Sequence, residues 1–319
     1  MRLELDRIRA AQAVIDPVFR DTPQYACAPL GEALGCSVLL KVETLNPVRS
    51  FKGRGTEAVM SWLSRREDFG TAVCASAGNL GQALAYSGAR RQIPVTVVAA
   101  EHANPMKIER IRALGATVVL EGDDHEDARR LAREIAEAEA AYLVEDSLDM
   151  LTCDGAGTIG LELLEHAQEH IDVLLIALGG GAMASGIGCV AKAIAPQVEV
   201  IGIQPAGAPA MALSWRTGAV VNSQTIDTIA DGVAGRCPIP EVLDDLLVVL
   251  DDVVLVGEDR IKAGMRLLYQ HAGLVVEPSA ALGVAAVLED RERFAGRRVA
   301  AIICGSNVMT SDFARWALR

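Results

Sequence analysis

The stretch "LLIALGGGAMASGIG", residues Leu174 to Gly188, decides how the chain must fold. A buried apolar run feeds Gly179, Gly180 and Gly181 directly into a helix that opens at Ala182 and Met183. Without a Cβ, such glycines let backbone N–H groups close on a phosphate, and the helix dipole favours the anion there. A ligand-free tight turn is the competing reading of a glycine run taken alone. The spacing Gly179-x-Gly181-x-x-Ala184 also fits a dinucleotide fingerprint, which needs an acidic residue at the end of the following strand to hold a ribose. That strand, "VEVIGIQP" (198–205), ends in Gln204, and Glu199 stands at its wrong end. The phosphate survives this comparison and the dinucleotide does not.

Outward from this strand–turn–helix unit, short apolar runs alternate with segments of helical period. Upstream, "TAVCAS" (71–76), "IPVTVVAA" (93–100), "ATVVLEG" (116–122) and "AYLVED" (141–146) read as strands. Between them lie the helical "NLGQALAYSGARR" (79–91), "NPMKIERIRALG" (104–115) and a charged amphipathic segment at 123–140. A second block begins near "GAGTIGLELLEHA" (155–167) and adds the strands at 171–181 and 198–205 and "RVAAIICGS" (298–306); the strand-like "VLLKVETL" (38–45) can join it. The expected fold is α/β, with two open, twisted, mostly parallel sheets flanked by helices. A small mobile lobe (45–149) is inserted in a larger lobe made of 1–44 and 150–319, with the ligand in the cleft between them.

Composition agrees with this plan. The 319 residues are 51% hydrophobic but only 4% aromatic, which suits close helix–sheet packing better than an aromatic-rich β-sandwich. Thirty basic residues stand against 42 acidic ones, a net charge of −12 with no long basic run, so nucleic acid and anionic membrane are excluded as main partners. Seven scattered cysteines without a C-x-x-C pair fit a reducing compartment. The charged amphipathic start "MRLELDRIRA" is unlike a signal peptide, and no apolar run reaches membrane-spanning length. A soluble cytoplasmic protein is expected. His166 and His170 lie four apart without the HExxH pattern and read as a solvated helix face rather than metal ligands.

Three further stretches carry chemistry. "NPVRSFKGRG" (46–55) sets Lys52 among small and cationic neighbours, either as a solvated charge or as a nucleophile in a tight site. "SAGNLGQ" (76–82) is a second strand-to-helix turn, whose Ser76, Asn79 and free amides suit a small carboxylate; Asn79 as a simple N-cap is the alternative. "CGSN" (304–307) brings the thiol of Cys304 to the carboxyl edge of a strand, either as a reactive group or as an inert buried one. A phosphate cradle, a carboxylate cradle and a lysine together point to pyridoxal 5'-phosphate, whose aldehyde bonds a lysine and whose ring is an electron sink.

"SFKGRG", "SAGNLGQ", "LGGGAMASG", "TIADGVAG", "VVEPSAAL" and "CGSN" stand in the order seen in the serine/threonine dehydratases, a branch of the fold-type II, tryptophan synthase β-like pyridoxal-phosphate enzymes, which this chain resembles over nearly its whole length. The resemblance implies Lys52 as the Schiff-base lysine with Phe51 beside the ring, and Asn79 on the ring hydroxyl. It implies Gly179, Gly180, Gly181, Ala182 and Met183 as the phosphate cradle, and Cys304 facing the pyridine nitrogen. Ser76, Ala77, Gly78 and Asn79 would grip the substrate carboxylate. It further implies an ammonia-lyase that eliminates the β-hydroxyl of threonine or serine to give a 2-oxo acid and ammonia, assembled as a homodimer or higher homo-oligomer.

Departures from the family pattern sharpen these expectations. Ala77 stands where racemases of this branch carry a second acid/base serine, which favours elimination. Ala182 replaces a fourth glycine, and Leu80 a frequent histidine. Gln204 and its neighbours lack the carboxylate with which some relatives hold a divalent cation, so no metal-ligating residue is assigned and a divalent site of that form is not expected, while a monovalent ion on backbone carbonyls stays open. Arg49 replaces a glycine and would meet an acidic substrate side chain or point to solvent. Elimination from 3-hydroxyaspartate, racemisation, β-replacement and a non-catalytic binding role are the competing functions. The short stretch after "CGSN" predicts no feedback-regulatory domain.

Overall fold

The computed structural model describes residues 1–123 and 125–318. Its strands are β1 (Gln24–Ala26), β2 (Ser37–Val42), β3 (Ala72–Ala75), β4 (Val95–Ala99), β5 (Thr117–Leu120), β6 (Tyr142–Leu143), β7 (Val173–Ala177), β8 (Glu199–Pro205), β9 (Asp252–Val256) and β10 (Arg298–Ile303). Six form one sheet in the order β1-β2-β10-β7-β8-β9, and four form a second in the order β5-β4-β3-β6. Among the described residues, every pairing of these strands is parallel except β1 with β2. Strands β7 and β10 are apolar and buried along nearly their whole length, as parallel strands covered on both faces must be.

All four strands of the smaller sheet fall between residues 72 and 143, and β2 joins the larger sheet beside β10, in register from Ser37↔Arg298 to Val42↔Ile303. Two strands are unforeseen, the three-residue β1 and β9, an edge strand with half-buried Val254 and Leu255, whose run of short apolar residues follows helix Pro240–Val249 almost without a break.

Helix boundaries follow local chemistry. Asn104 caps helix Pro105–Ala113 by accepting from Met106 N at 3.0 Å, with Pro105 at the first position, where its missing N–H costs nothing. Asp149 does the same for helix Met150–Glu165, accepting from Leu151 N at 3.0 Å. The small residues of the composition find their use where helices Lys52–Leu63, Met150–Glu165 and Ala182–Ile194 meet. A Cβ on Gly155 would lie 2.4 Å from the Arg54 carbonyl, and one on Gly186 would lie 2.4 Å from that of Cys153. Backbone packs on backbone there, so the start of helix Lys52–Leu63 is fixed against the large sheet's own helices.

A buried ionic cluster braces the same helix. Arg54 is fully buried and bonds Glu43 (2.7 and 2.9 Å), Glu162 (2.6 and 2.8 Å), Thr158 (3.0 Å) and Thr22 (3.2 Å), while Lys41 adds a 2.6 Å contact to Glu162. Against the burial that pushes its carboxyl up, Arg54 and Lys41 hold Glu162 down at about 2. Among the described residues, no helix is long and apolar enough to cross a membrane.

Candidate active site

The carboxyl ends of β3, β6, β7, β8 and β10 open into one cavity of about 780 Å³, the place where open α/β sheets receive ligands. Lys52, Asn79, the glycine turn and Cys304 all line it, although they come from four distant parts of the chain.

Lys52 is brought there by two strands of loop running against each other. Ser50 and Gly305 form an isolated antiparallel bridge, Phe51 N donates to Cys304 O at 3.0 Å, and Ser306 N donates to Arg49 O at 2.9 Å. Asn46 shapes the approach, accepting from Val48 N and donating to the carbonyls of Glu43 and Ser50. Lys52 then opens its helix, with Nζ 4.6 Å from the Phe51 ring centroid and 2.5 Å from Asp146 Oδ2. Its side chain is 16% exposed, so the amine is a sheltered cavity group rather than a solvated surface charge.

The glycine turn needs glycine for two separate reasons. Gly181 has φ of +108°, in the left-handed region, and a Cβ there would meet Val242 Cγ1 at 2.4 Å. Gly180 has no such backbone demand, but a Cβ there would lie 2.8 Å from Ser147 Oγ. Ser147 is itself fully buried at φ +69°, and its hydroxyl accepts from Ala182 N at 3.0 Å. Ala182, one of the residues expected to cradle phosphate through its amide, therefore already has a partner. Met183 is buried on the cavity wall. Gln204 accepts from Ala212 N at 2.9 Å, so the residue standing where a ribose-binding acid would be required satisfies the start of helix Ala210–Thr217 instead.

Opposite the turn, Ser76, Ala77, Gly78 and Asn79 enter helix Asn79–Arg91. Ser76 Oγ accepts from Gly78 N at 3.1 Å, just ahead of a helix start whose first amides have no partner within the helix. Asn79 Nδ2 donates to Glu277, and Asn79 Oδ1 accepts from Asn307 Nδ2 at 2.7 Å. Glu277 also accepts from Asn307 N at 3.1 Å; burial pushes its carboxyl up, and these donors oppose that push. Cys304 is buried, and burial followed by the nearby Glu277 pushes its thiol well above the usual thiol range, so it stays protonated at neutral pH.

Sequence reasoning missed Asp146, Ser147, Glu277, Ser279 and Asn307. The available signal was position, since Asp146 and Ser147 follow a strand that ends at the carboxyl edge, while Glu277 and Asn307 sit inside the recognised stretches "VVEPSAAL" and "CGSN". Of the two readings of Arg49, its exposure agrees with the one that points to solvent: it adopts φ of +54°, its carbonyl accepts from Ser306 N, and it is not among the residues that line the cavity.

The residues present fit pyridoxal phosphate. The glycine turn lines the cavity with backbone that has no room for side chains, since a Cβ on Gly179, Gly180 or Gly181 would crowd Val233, Ser147 or Val242; Lys52 supplies a sheltered amine, and Ser279 Oγ is a buried cavity-lining hydroxyl without a partner among the described residues. Comparison with known proteins agrees with this chemistry. Residues 15–305 match the family described as pyridoxal-phosphate dependent enzyme. The L-threonine ammonia-lyase of Thermotoga maritima is 34% identical over 306 residues, covering 96% of this chain and 76% of that protein. Among solved structures, maize serine racemase superposes with a TM-score of 0.92 at 28% identity, over 99% of this chain and 97% of that one. The processed form of threonine deaminase isoform 2 from Solanum lycopersicum superposes with a TM-score of 0.89 at 30% identity, over 99% and 94%.

Proposed function

Because this chain belongs to the pyridoxal-phosphate dependent enzyme family, we propose that it is an ammonia-lyase dehydrating a β-hydroxy amino acid, threonine or serine, to a 2-oxo acid and ammonia. Pyridoxal phosphate is the cofactor, and when bound it supplies an aldehyde for the Lys52 amine and a ring that accepts the electron pair left at the substrate's α-carbon. The observation that carries the reading is the meeting of Lys52, the Gly179–Gly181 turn and the Ser76–Asn79 helix start on one cavity.

In this reading the turn and the N-terminus of helix Ala182–Ile194 hold the phosphate, as oriented amides and a helix dipole hold any anion. Phe51, Asn79 and the neutral Cys304 thiol would hold the cofactor ring, with Asn79 on its hydroxyl and Cys304 toward its pyridine nitrogen. A thiol that stays protonated does not fix a positive charge on that nitrogen, which favours prompt loss of the β-substituent. The Ser76–Asn79 amides receive the substrate carboxylate and thereby orient the α-hydrogen. The Lys52 amine, sheltered from water, removes that hydrogen as general base. Ala77 carries no acid or base, so nothing at that position returns a proton to the opposite face, and elimination is favoured over racemisation. A homodimer or larger homo-oligomer belongs to this reading.

Release of 2-oxo acid from L-threonine and L-serine, with chiral analysis of the remaining amino acid, tests it. Rapid racemisation without keto acid, or keto acid from 3-hydroxyaspartate alone, would refute the threonine/serine assignment.

A further inference from the structure

We propose that Asp146 is a second acid/base residue, carrying a proton from the Lys52 ammonium to the departing β-hydroxyl. The inference rests on the β-elimination reading above and extends it to a group that reading leaves unused.

Among the described residues, five carboxylates line the cavity, and four of them are committed elsewhere. Glu126 and Glu145 both pair with Arg129, and Glu145 pairs with Arg133 as well. Asp231 pairs with Lys107, and Glu277 serves Asn79 and Asn307. Of the five, Asp146 alone has the reactive amine as its ion-pair partner, at 2.5 Å. Its second oxygen, Oδ1, is buried and has no hydrogen-bond partner among the described residues. Asp146 Oδ2 also stands 3.8 Å from the point where a Cβ on Gly180 would be, so one oxygen lies between the amine and the glycine turn.

Hydroxide is a poor leaving group and must depart as water. Lys52 Nζ, as the neutral amine, takes the α-hydrogen as a proton and becomes the ammonium, and the electron pair of the broken C–H bond ends as the second bond between Cα and Cβ. The Lys52 ammonium passes a proton over the 2.5 Å contact to the Asp146 carboxylate, and Asp146 gives it to the β-oxygen as the Cβ–O bond breaks. That bond's electron pair leaves with the oxygen as water. Lys52 is then again the neutral amine and Asp146 again the carboxylate, so both groups regain their starting states. One hydrogen and one hydroxyl have left, and no outside donor is consumed.

The test compares L-serine with β-chloro-L-alanine on the Asp146→Asn holoenzyme, because chloride departs without a proton. Turnover of L-serine should fall by at least about 100-fold, the usual contribution of a positioned acid. Turnover of β-chloro-L-alanine should stay within about threefold, and in D₂O the variant should still exchange the α-hydrogen of L-serine, read by NMR. Absorbance titration of the apoprotein should give an unchanged cofactor affinity, and Asp146→Glu should recover part of the serine activity. Equal losses on both substrates, weakened cofactor binding in step with activity, or undiminished serine turnover would each overturn the proposal. A wild-type enzyme that releases 2-oxo acid from neither substrate would instead sink the β-elimination reading itself, and the proposal with it.

Discussion

Asn79 Nδ2 donates to both carboxylate oxygens of Glu277, at 2.9 and 3.2 Å, across 198 positions of sequence. The contact fixes which end of the Asn79 amide faces the cavity. Removing the acceptor with Glu277→Ala leaves Asn79 Nδ2 and Asn307 N unpaired in a buried place, a loss of about 1–3 kcal/mol. Cofactor affinity, followed by absorbance on the apoprotein, should fall about 5- to 150-fold, and Glu277→Gln, which keeps one acceptor, should lose less.

Lys52→Ala should retain no cofactor after borohydride reduction and dialysis. The wild-type chain treated in the same way should carry the reduced cofactor on the peptide that contains Lys52. Label on any other lysine would refute the assignment of the nucleophile.

Gly181 and Gly35 separate backbone strain from crowding. Both have positive φ, +108° and +81°, but a Cβ on Gly35 meets nothing within 4 Å, whereas one on Gly181 strikes Val242 at 2.4 Å. Gly35→Ala should cost about 1 kcal/mol, the backbone part alone. Gly181→Ala should cost about 2–4 kcal/mol and also weaken cofactor binding, as read by denaturant unfolding with and without pyridoxal phosphate.

Arg54→Met removes the cation from a fully buried cluster and leaves Glu43 and Glu162 facing each other with only Lys41 to compensate. A loss of about 3–5 kcal/mol in unfolding free energy is expected. Because Glu162 is held at about 2, below its ordinary value near 4.5, its stabilising contribution is present above that ordinary value. It is lost as pH falls from there toward 2. Wild-type stability should drop through this window, and Glu162→Gln should flatten the drop.

Asp149 titrates in the opposite sense. Burial pushes its carboxyl up to about 6, against hydrogen bonds from Leu151 N and Tyr142 Oη. A raised value means stability that is full below the ordinary carboxyl range and is lost as pH rises through about 6. Asp149→Asn keeps an N-cap and removes the charge, so thermal unfolding should lose its slope between about pH 4 and 6.

What was legible in the sequence was whatever local pattern dictates. The apolar runs of β7, β8 and β10 announce buried parallel strands, and the glycines after β7 announce an anion turn, because period and φ are written residue by residue. Arg54 looked like one more cationic neighbour of Lys52; its complete burial depends on Glu43 from β2's end and Glu162 from a helix more than a hundred residues away. Glu277 and Asn307 were in view without a role, since their partner Asn79 lies in the other block. Asp146 follows a strand of only two residues, too short for its register to be read. The side chains that escaped detection are those whose meaning is a distant partner.

The bridge between Ser50 and Gly305, with the adjoining bond from Phe51 N to Cys304 O, has a consequence in time. A ribosome delivers the amino end first, so Lys52 emerges roughly 250 residues before the loop that seats it. At about 5–20 residues per second that gap lasts about 13–50 s. During this interval β2 lacks its neighbour β10, and the nascent chain carries its reactive lysine with no seat to hold it. Until that loop arrives, the cavity lacks the wall that Glu277, Ser279 and Cys304 complete.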